Sequence, residues 1–309
     1  MRLKIDKHFF KKVIRLNYRI LFIILRNIWF SDQVSSLIYS DKLFIKILYF
    51  LSTHQKLNLD NPKTFNEKLQ WLKINKNYDK YANLVDKYEV RDFVKKTVGE
   101  KYLIPLLGVW NKFEEIEWDS LPNEFVIKAT HDCGSVIICN NKSNLDLKLV
   151  EKKLNYSLNR NYFLKDRAPV YKNLKPRLIA EKFIKDDETI VPNDFKFFCF
   201  NGKVEFIQVD SNRFSNHKRN IYNSNWDFID LSLGYPTDKY NLDSKPSNLL
   251  EMIRVAEDLS RGINHVRVDL YNVNNNIILF GEMTFFHGSG IENFIPKIWN
   301  RKFGDLIKI

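Results

Sequence analysis

The chain has 309 residues, 44% of them apolar, which is enough for a substantial core in two or three lobes. A net charge of +12 and a pI of about 9.3 favour anionic partners: nucleotide, acidic glycan, nucleic acid or an anionic membrane face. Cys133, Cys139 and Cys199 contain no CxxC pair, which argues against a zinc site or a disulfide framework and fits a reducing cytoplasm.

Residues 1–57 read as a basic helical N-terminal segment. Lys4, Lys7, Lys11, Lys12, Arg15, Arg19 and Arg26 interleave with Phe, Ile and Leu. The pattern suits a helix in peripheral contact with the inner membrane face, and equally a helix packed on the protein with a solvated basic side. Its longest apolar run, ILFIIL at 20–25, is far short of the roughly 20 residues a span needs. No small-residue cleavage site follows it, so no signal peptide is expected.

In NPKTFNEKLQWLK, residues 61–73, Thr64 and Glu67 match a capping box, so a helix should follow. A second helix is expected from about Lys80 to Lys96, with Lys87 and Arg91 on one side and Gly99 ending it. EFVIKATHDCGSVIIC reads as strand, turn, strand. Lys128 closes its first strand, and the turn carries His131, Asp132, Gly134 and Ser135. Small residues let backbone N–H groups approach a phosphate, and a lysine beside them adds a point charge. A plain hairpin with a polar tip would look the same. Residues 145–165 look helical, and APVYKNLKPR looks like a loop. LIAEKFI, 178–184, is a short strand carrying Glu181 and Lys182. DFKFFCFNGKVEFIQVD, 194–210, turns at Asn201-Gly202, a strong hairpin signal. Residues 211–245 read as polar and irregular, with Arg213, His217, Lys218 and Arg219 as a candidate loop for an acidic substrate. SNLLEMIRVAEDLSRG has Leu249, Leu250, Ile253, Ala256 and Leu259 at helical period, and Gly262 stops it.

The stretch HVRVDLYNVNNNIILFGEMTFFHGSG, 265–290, reads as two antiparallel strands and a turn. Arg267 and Asp269 project from one face of the first strand, and Glu282 and Thr284 from one face of the second. Val266, Val268 and Leu270 then face the core. Two carboxylates brought together repel unless a cation lies between them, and Mg²⁺, which takes oxygen ligands and substrate phosphates, suits them. An Arg–Asp pair on an ordinary hairpin is the competing reading.

The phrases NPKTFNEKLQWLK, VDKYEVRDFV, FVIKATHDCGS, IAEKFI, DFKFFCFNGK and VRVDLY…GEMTFFHGSG, in that order over about 58–298, resemble the TupA-like (teichuronopeptide-biosynthesis) branch of the ATP-grasp superfamily. The resemblance implies an α+β fold in which two lobes hold ATP. It implies a helical front lobe at 58–120, a small lobe at 121–185, and a large lobe at 186–309 carrying the Mg²⁺ and phosphate site. By similarity, Lys128 would contact the phosphates under the loop Asp132, Gly134, Ser135. Lys182 and Phe183 would read the adenine edge beside Glu181, with Glu188 on the ribose. Lys196 would be the second phosphate lysine. Asp269 and Glu282 would be the Mg²⁺ carboxylates. Thr284 stands where the superfamily often has Asn, which leaves one or two metal ions open. Arg267 and the turn with Gly288 and Ser289 would face the transferring phosphoryl group and the acyl intermediate.

The expected chemistry is an ATP-dependent ligation of a carboxylate to an amine through an acyl phosphate, with an acidic surface glycan or its precursor and an amine donor as partners. No G-x-S-x-G or evident Cys–His pair offers a protein nucleophile. A polysaccharide glycosyltransferase is the alternative, although no convincing DxD motif is present. A nucleic-acid-binding surface is a third reading, and no recognised module supports it.

Overall fold

Asn201 and Gly202 both adopt left-handed backbone, with φ of 51° and 79°, as a two-residue turn between twisted strands requires. They join β5 (Asn193–Phe200) to β6 (Lys203–Ser211), which pair antiparallel from Phe200↔Lys203 onward. The computed structural model describes residues 32–38, 40–186, 192–211 and 217–309. The helix expected in 1–30, together with Glu188 and Arg213, lies outside the described residues.

Seven helices of five residues or more are described: α1 (Asp32–Ser36), α2 (Asp41–Thr53), α3 (Phe65–Asn75), α4 (Val90–Thr97), α5 (Leu147–Leu158), α6 (Leu249–Ser260) and α7 (Ile298–Leu306). The other strands are β1 (Leu106–Trp110), β2 (Phe125–Ala129), β3 (Ile137–Cys139), β4 (Leu178–Lys182), β7 (Lys218–Asn223), β8 (Phe228–Ile229), β9 (Ser232–Leu233), β10 (His265–Val273), β11 (Ile277–Thr284) and β12 (Phe294–Ile295). They form a four-stranded sheet in the order β1-β4-β2-β3, a six-stranded sheet in the order β11-β10-β5-β6-β7-β8, and the pair β12-β9.

The smaller sheet packs Phe125, Ile127, Leu178 and Ala180 with Val150 and Leu154 of α5. On the larger sheet, Val266, Val268 and Leu270 are fully buried, as alternation predicts, and α6 lies against β10, β5 and β6. Burial of these apolar faces drives the layering.

Several local expectations need correction. The helix expected from Lys80 to Lys96 breaks at 86–89. The Asp86 carboxylate accepts the N–H groups of Tyr88 (2.9 Å) and Glu89 (3.0 Å), so it caps a new segment rather than continuing the old one. Leu106–Trp110, within the stretch expected to be helical, pairs with Leu178–Glu181 as an edge strand. The 211–245 stretch is less irregular than it reads, because β7 pairs with β6 from Phe206↔Asn223 to Ser211↔Lys218. The buried face of α6 uses Met252 and Val255, while Leu250 is 81% exposed.

The capping box is present: Thr64 accepts from Glu67 N, and Glu67 Oε2 accepts from Thr64 N at 3.0 Å. The start of α3 meets α7 at Gly304. A Cβ there would lie 2.5 Å from Lys63 O and 2.7 Å from Phe65 N. Backbone atoms cannot yield as a flexible side chain can. Gly304→Val should therefore destabilise the protein by about 1–3 kcal/mol or more, read by urea denaturation.

Candidate active site

Pairing of β10 with β11 sets Arg267 opposite Thr284 and Asp269 opposite Glu282. Pairing of β10 with β5 sets Asp269 opposite Lys196. Five polar side chains thus share one face. Arg267 donates to Asp269 through Nε and Nη2, both at 2.7 Å, in a bidentate fork. Its Nη2 also lies 3.4 Å from Glu282 Oε1 and 3.2 Å from Thr284 Oγ1. Lys196 Nζ donates to Asp269 Oδ2 at 2.8 Å and to Asp194. Burial works against the charged Asp269 carboxylate. Arg267 and Lys196 outweigh it and hold its pKa below the ordinary aspartate value. Burial likewise opposes the cations, and Asp194 and Asp269 around Lys196, with Asp269 beside Arg267, raise both instead.

On the smaller sheet, Lys128 Nζ donates to Glu181 Oε2 at 2.7 Å. Arg91 of α4 binds the other oxygen at 3.0 Å. Both Lys128 and Glu181 line a cleft with Val126, Ile138, Lys182 and Phe183, bordered from the larger sheet by Tyr271. The cleft therefore lies between the two sheets. In the turn after β2, Ser135 Oγ donates to Asp132 Oδ1 at 2.5 Å and accepts from Ala129 N at 2.9 Å. Gly134 has φ of 105° and open space around it. Lys87 donates to the Asp132 carbonyl.

Gly288 is exposed and Ser289 partly so, in a turn directly after β11. His287 beside them is buried in an aromatic cluster with Phe65 and Phe198, and burial holds it neutral, well below its ordinary pKa. The expected basic loop is not free for an acid at two of its positions. Arg219 donates to Asp210 at 2.7 Å and 3.3 Å, and His217 lies 3.1 Å from the same carboxylate.

A family model described as TupA-like ATPgrasp matches residues 67–308. The chain belongs to the TupA-like ATP-grasp family.

None of the curated proteins matches the chain. Among solved structures, the D-alanine–D-alanine ligase from Bacillus anthracis complexed with ATP is 15% identical, with a TM-score of 0.44, over 72% of this chain and 63% of that one. The L-amino acid ligase from Bacillus licheniformis is 14% identical, with a TM-score of 0.43, over 73% of this chain and 50% of that one. The ATP-grasp ligase PsnB, complexed with a phosphomimetic precursor variant, Mg and ADP, is 10% identical, with a TM-score of 0.36, over 72% and 59%. The chain thus spans less than two thirds of each of these structures, and the family assignment rests on the family model.

Within this ATP-grasp fold, four residues near the site escaped sequence reading. Arg91 and Lys87 were visible as one helix side, without a partner. Lys73 was visible only as part of a helix. Tyr171, in a stretch read as loop, is raised well above its ordinary pKa by burial and then by the nearby Glu282 and Asp166 carboxylates.

The same polar face yields a pH prediction. Burial opposes the Asp210 carboxylate, but Arg219 overcomes it and depresses its pKa to about 2. A depressed acid stabilises the fold above its unfolded pKa of about 3.9 and loses that contribution as pH falls. The stability advantage of wild type over Asp210→Asn should be full above about pH 5 and shrink towards pH 2. Denaturant titrations of both proteins across that range measure it.

Proposed function

We propose that this protein is an ATP-dependent carboxylate–amine ligase acting on an acidic bacterial surface polysaccharide or its precursor, in capsule or cell-envelope biosynthesis. The observation that carries the reading is the pairing of Asp269 with Glu282 across β10 and β11, under Lys196 and Arg267. Three carboxylates, with Asp194 as the third, formally outnumber the two cations by one. That excess of negative charge favours a dication and, through it, a polyphosphate, once Arg267 and Lys196 release the Asp269 oxygens they bind. Asp269, Glu282 and Thr284 are all oxygen donors, as Mg²⁺ prefers, and two carboxylates suit an ion that completes its shell with phosphates and water. When bound, Mg²⁺ supplies neutralisation of the β- and γ-phosphate charge.

In this reading, residues 121–185 and 186–309 form the lobes that hold ATP. Adenine occupies the cleft by Glu181, Lys182 and Phe183. Lys128 exchanges Glu181 for phosphate oxygens, under Asp132, Gly134 and Ser135, and Lys196 serves as the second phosphate lysine. A substrate carboxylate oxygen attacks the γ-phosphorus, the bond to ADP breaks, and an acyl phosphate forms. The amine nitrogen then attacks the acyl carbon, phosphate leaves with the electron pair, and the nitrogen gives up a proton. Arg267 faces the transferring phosphoryl group, and the Gly288–Ser289 turn faces the acyl intermediate. Positioning and charge stabilisation account for the first step without a protein nucleophile.

The net charge of +12 supports an acidic acceptor. No described helix is long and apolar enough to cross a membrane. The ligase would work in the cytoplasm, with residues 1–30 in peripheral contact with the inner membrane face.

The deciding experiment incubates the protein with MgATP, uronic-acid glycans and amino acids. Glycan- and amine-dependent release of ADP and phosphate, with an amide-sized mass increase on the glycan, is expected. Consumption of a nucleotide sugar without ADP release would make the protein a sugar transferase instead. Lys128→Ala should weaken ATP binding by about 1.5–3 kcal/mol in calorimetry. Glu282→Gln should lower ATP affinity only modestly and cut steady-state ADP release by about 10² or more.

A further inference from the structure

The motif NPKTFNEKLQWLK is only partly explained by its cap. Asn66, Gln70 and Lys73 are spaced four and three apart, so they form one stripe on α3. All three are buried, at 2%, 0% and 6% exposure. All three donate to the chain just after β11. Asn66 Nδ2 donates to Glu292 O at 2.8 Å. Gln70 Nε2 donates to Ser289 O at 2.8 Å and Gly290 O at 3.0 Å. Lys73 Nζ donates to Ser289 O at 3.1 Å, and also to Asp166 O at 2.8 Å and Asp166 Oδ2 at 3.3 Å.

The segment they hold is unusual. Gly288, Ser289 and Gly290 are left-handed in succession, with φ of 55°, 54° and 66°. For Ser289 that conformation is costly, and it persists only where surroundings over-determine it. A Cβ at Gly290 would lie 2.8 Å from Gln70 Nε2, so the turn and the donor fit each other closely. The turn begins four residues after Thr284. Its position relative to Glu282 is therefore set from outside the large sheet, by α3. Lys73 adds a second tie, because Asp166 lies in the segment between α5 and β4 of the other sheet.

We propose that Gln70 and Lys73 are positioning residues that fix the 288–290 turn where the incoming amine meets the activated carboxylate, and that they act on this second step rather than on nucleotide binding. The inference rests on the ligase reading for its chemistry and on the α3 contacts for its geometry.

The test uses Gln70→Met and Lys73→Met, which keep length and remove the donors. Where loss of Lys73 strands Asp166 and prevents folding, Lys73→Met with Asp166→Asn, and Gln70→Met alone, carry the test. Three quantities are read on the full chain: amide hydrogen exchange at 288–291, MgATP affinity by calorimetry, and ADP release with glucuronic acid and hydroxylamine as probes. Exchange should accelerate at least about tenfold in the turn and stay within about twofold in β10 and β11. MgATP affinity and KM for ATP should stay within about twofold. Amine-dependent turnover should fall by about 10², as for a reacting group displaced by an ångström. Unchanged exchange, an unchanged amine step, or a parallel loss of MgATP affinity each overturns the inference. A wild-type protein inert to the probes counts against the ligase reading, while exchange and nucleotide affinity still decide whether α3 holds the turn independently of ATP.

Discussion

The carboxylate of Asp269 is 2% exposed and takes a two-pronged fork from Arg267 and a further donor from Lys196. Charges this deep are tolerated only when paired, and removing one partner costs about 3–5 kcal/mol because the other is stranded. The pairs must therefore form together, and they form only when β5, β10 and β11 are in the observed register. A one-residue slip would turn Val266, Val268 and Leu270 onto the polar face and Asp269 onto the apolar one. The same constraint thus fixes the sheet and assembles the polar face. Apolar replacement of such a buried cluster is often neutral or stabilising, so stability alone does not account for these charges.

Around that face the remaining elements act as walls and braces. The smaller sheet carries Lys128 and Glu181 into a cleft that Tyr271 of β10 borders from the larger sheet. Arg91 reaches Glu181 from α4 while also donating to Ile104 O at 2.8 Å, so a helix outside both sheets sets the carboxylate that Lys128 meets. α3 holds the turn beyond β11. The parts on which chemistry would depend are thus each held by a separate element, with few loops left to place them by chance.

Much of this was legible in the sequence where the signal is local. Alternation in VRVDLY gave the buried and polar faces of β10. Asn201-Gly202 gave a hairpin because both positions need left-handed backbone. Thr64 and Glu67 gave the start of α3 because both partners lie within one turn. What could not be read depends on distant partners. LLGVW at 106–110 is a strand because Leu178–Glu181 offers its edge, some seventy residues on. KRNIYN looks like a polar loop because Arg219 and Asn220 are buried against Asp210 and Asp243, which spacing does not reveal. The break at Asp86 arises because its side chain outcompetes the helix for two N–H groups. Gln70 and Lys73 look like ordinary helix residues, since their acceptors at Asp166, Ser289 and Gly290 lie 93 to 220 residues away.

The proposed ligation requires the Asp269–Glu282 face to hold a divalent cation together with a nucleotide. Electron paramagnetic resonance of Mn²⁺, replacing Mg²⁺, in the presence of ATP measures this directly. An immobilised Mn²⁺ signal with coupling to the phosphorus nuclei of ATP is expected in the wild-type protein, with weaker binding and altered metal coordination in Glu282→Ala. A protein-bound Mn²⁺–ATP signal that is identical in wild type and Glu282→Ala would contradict that requirement.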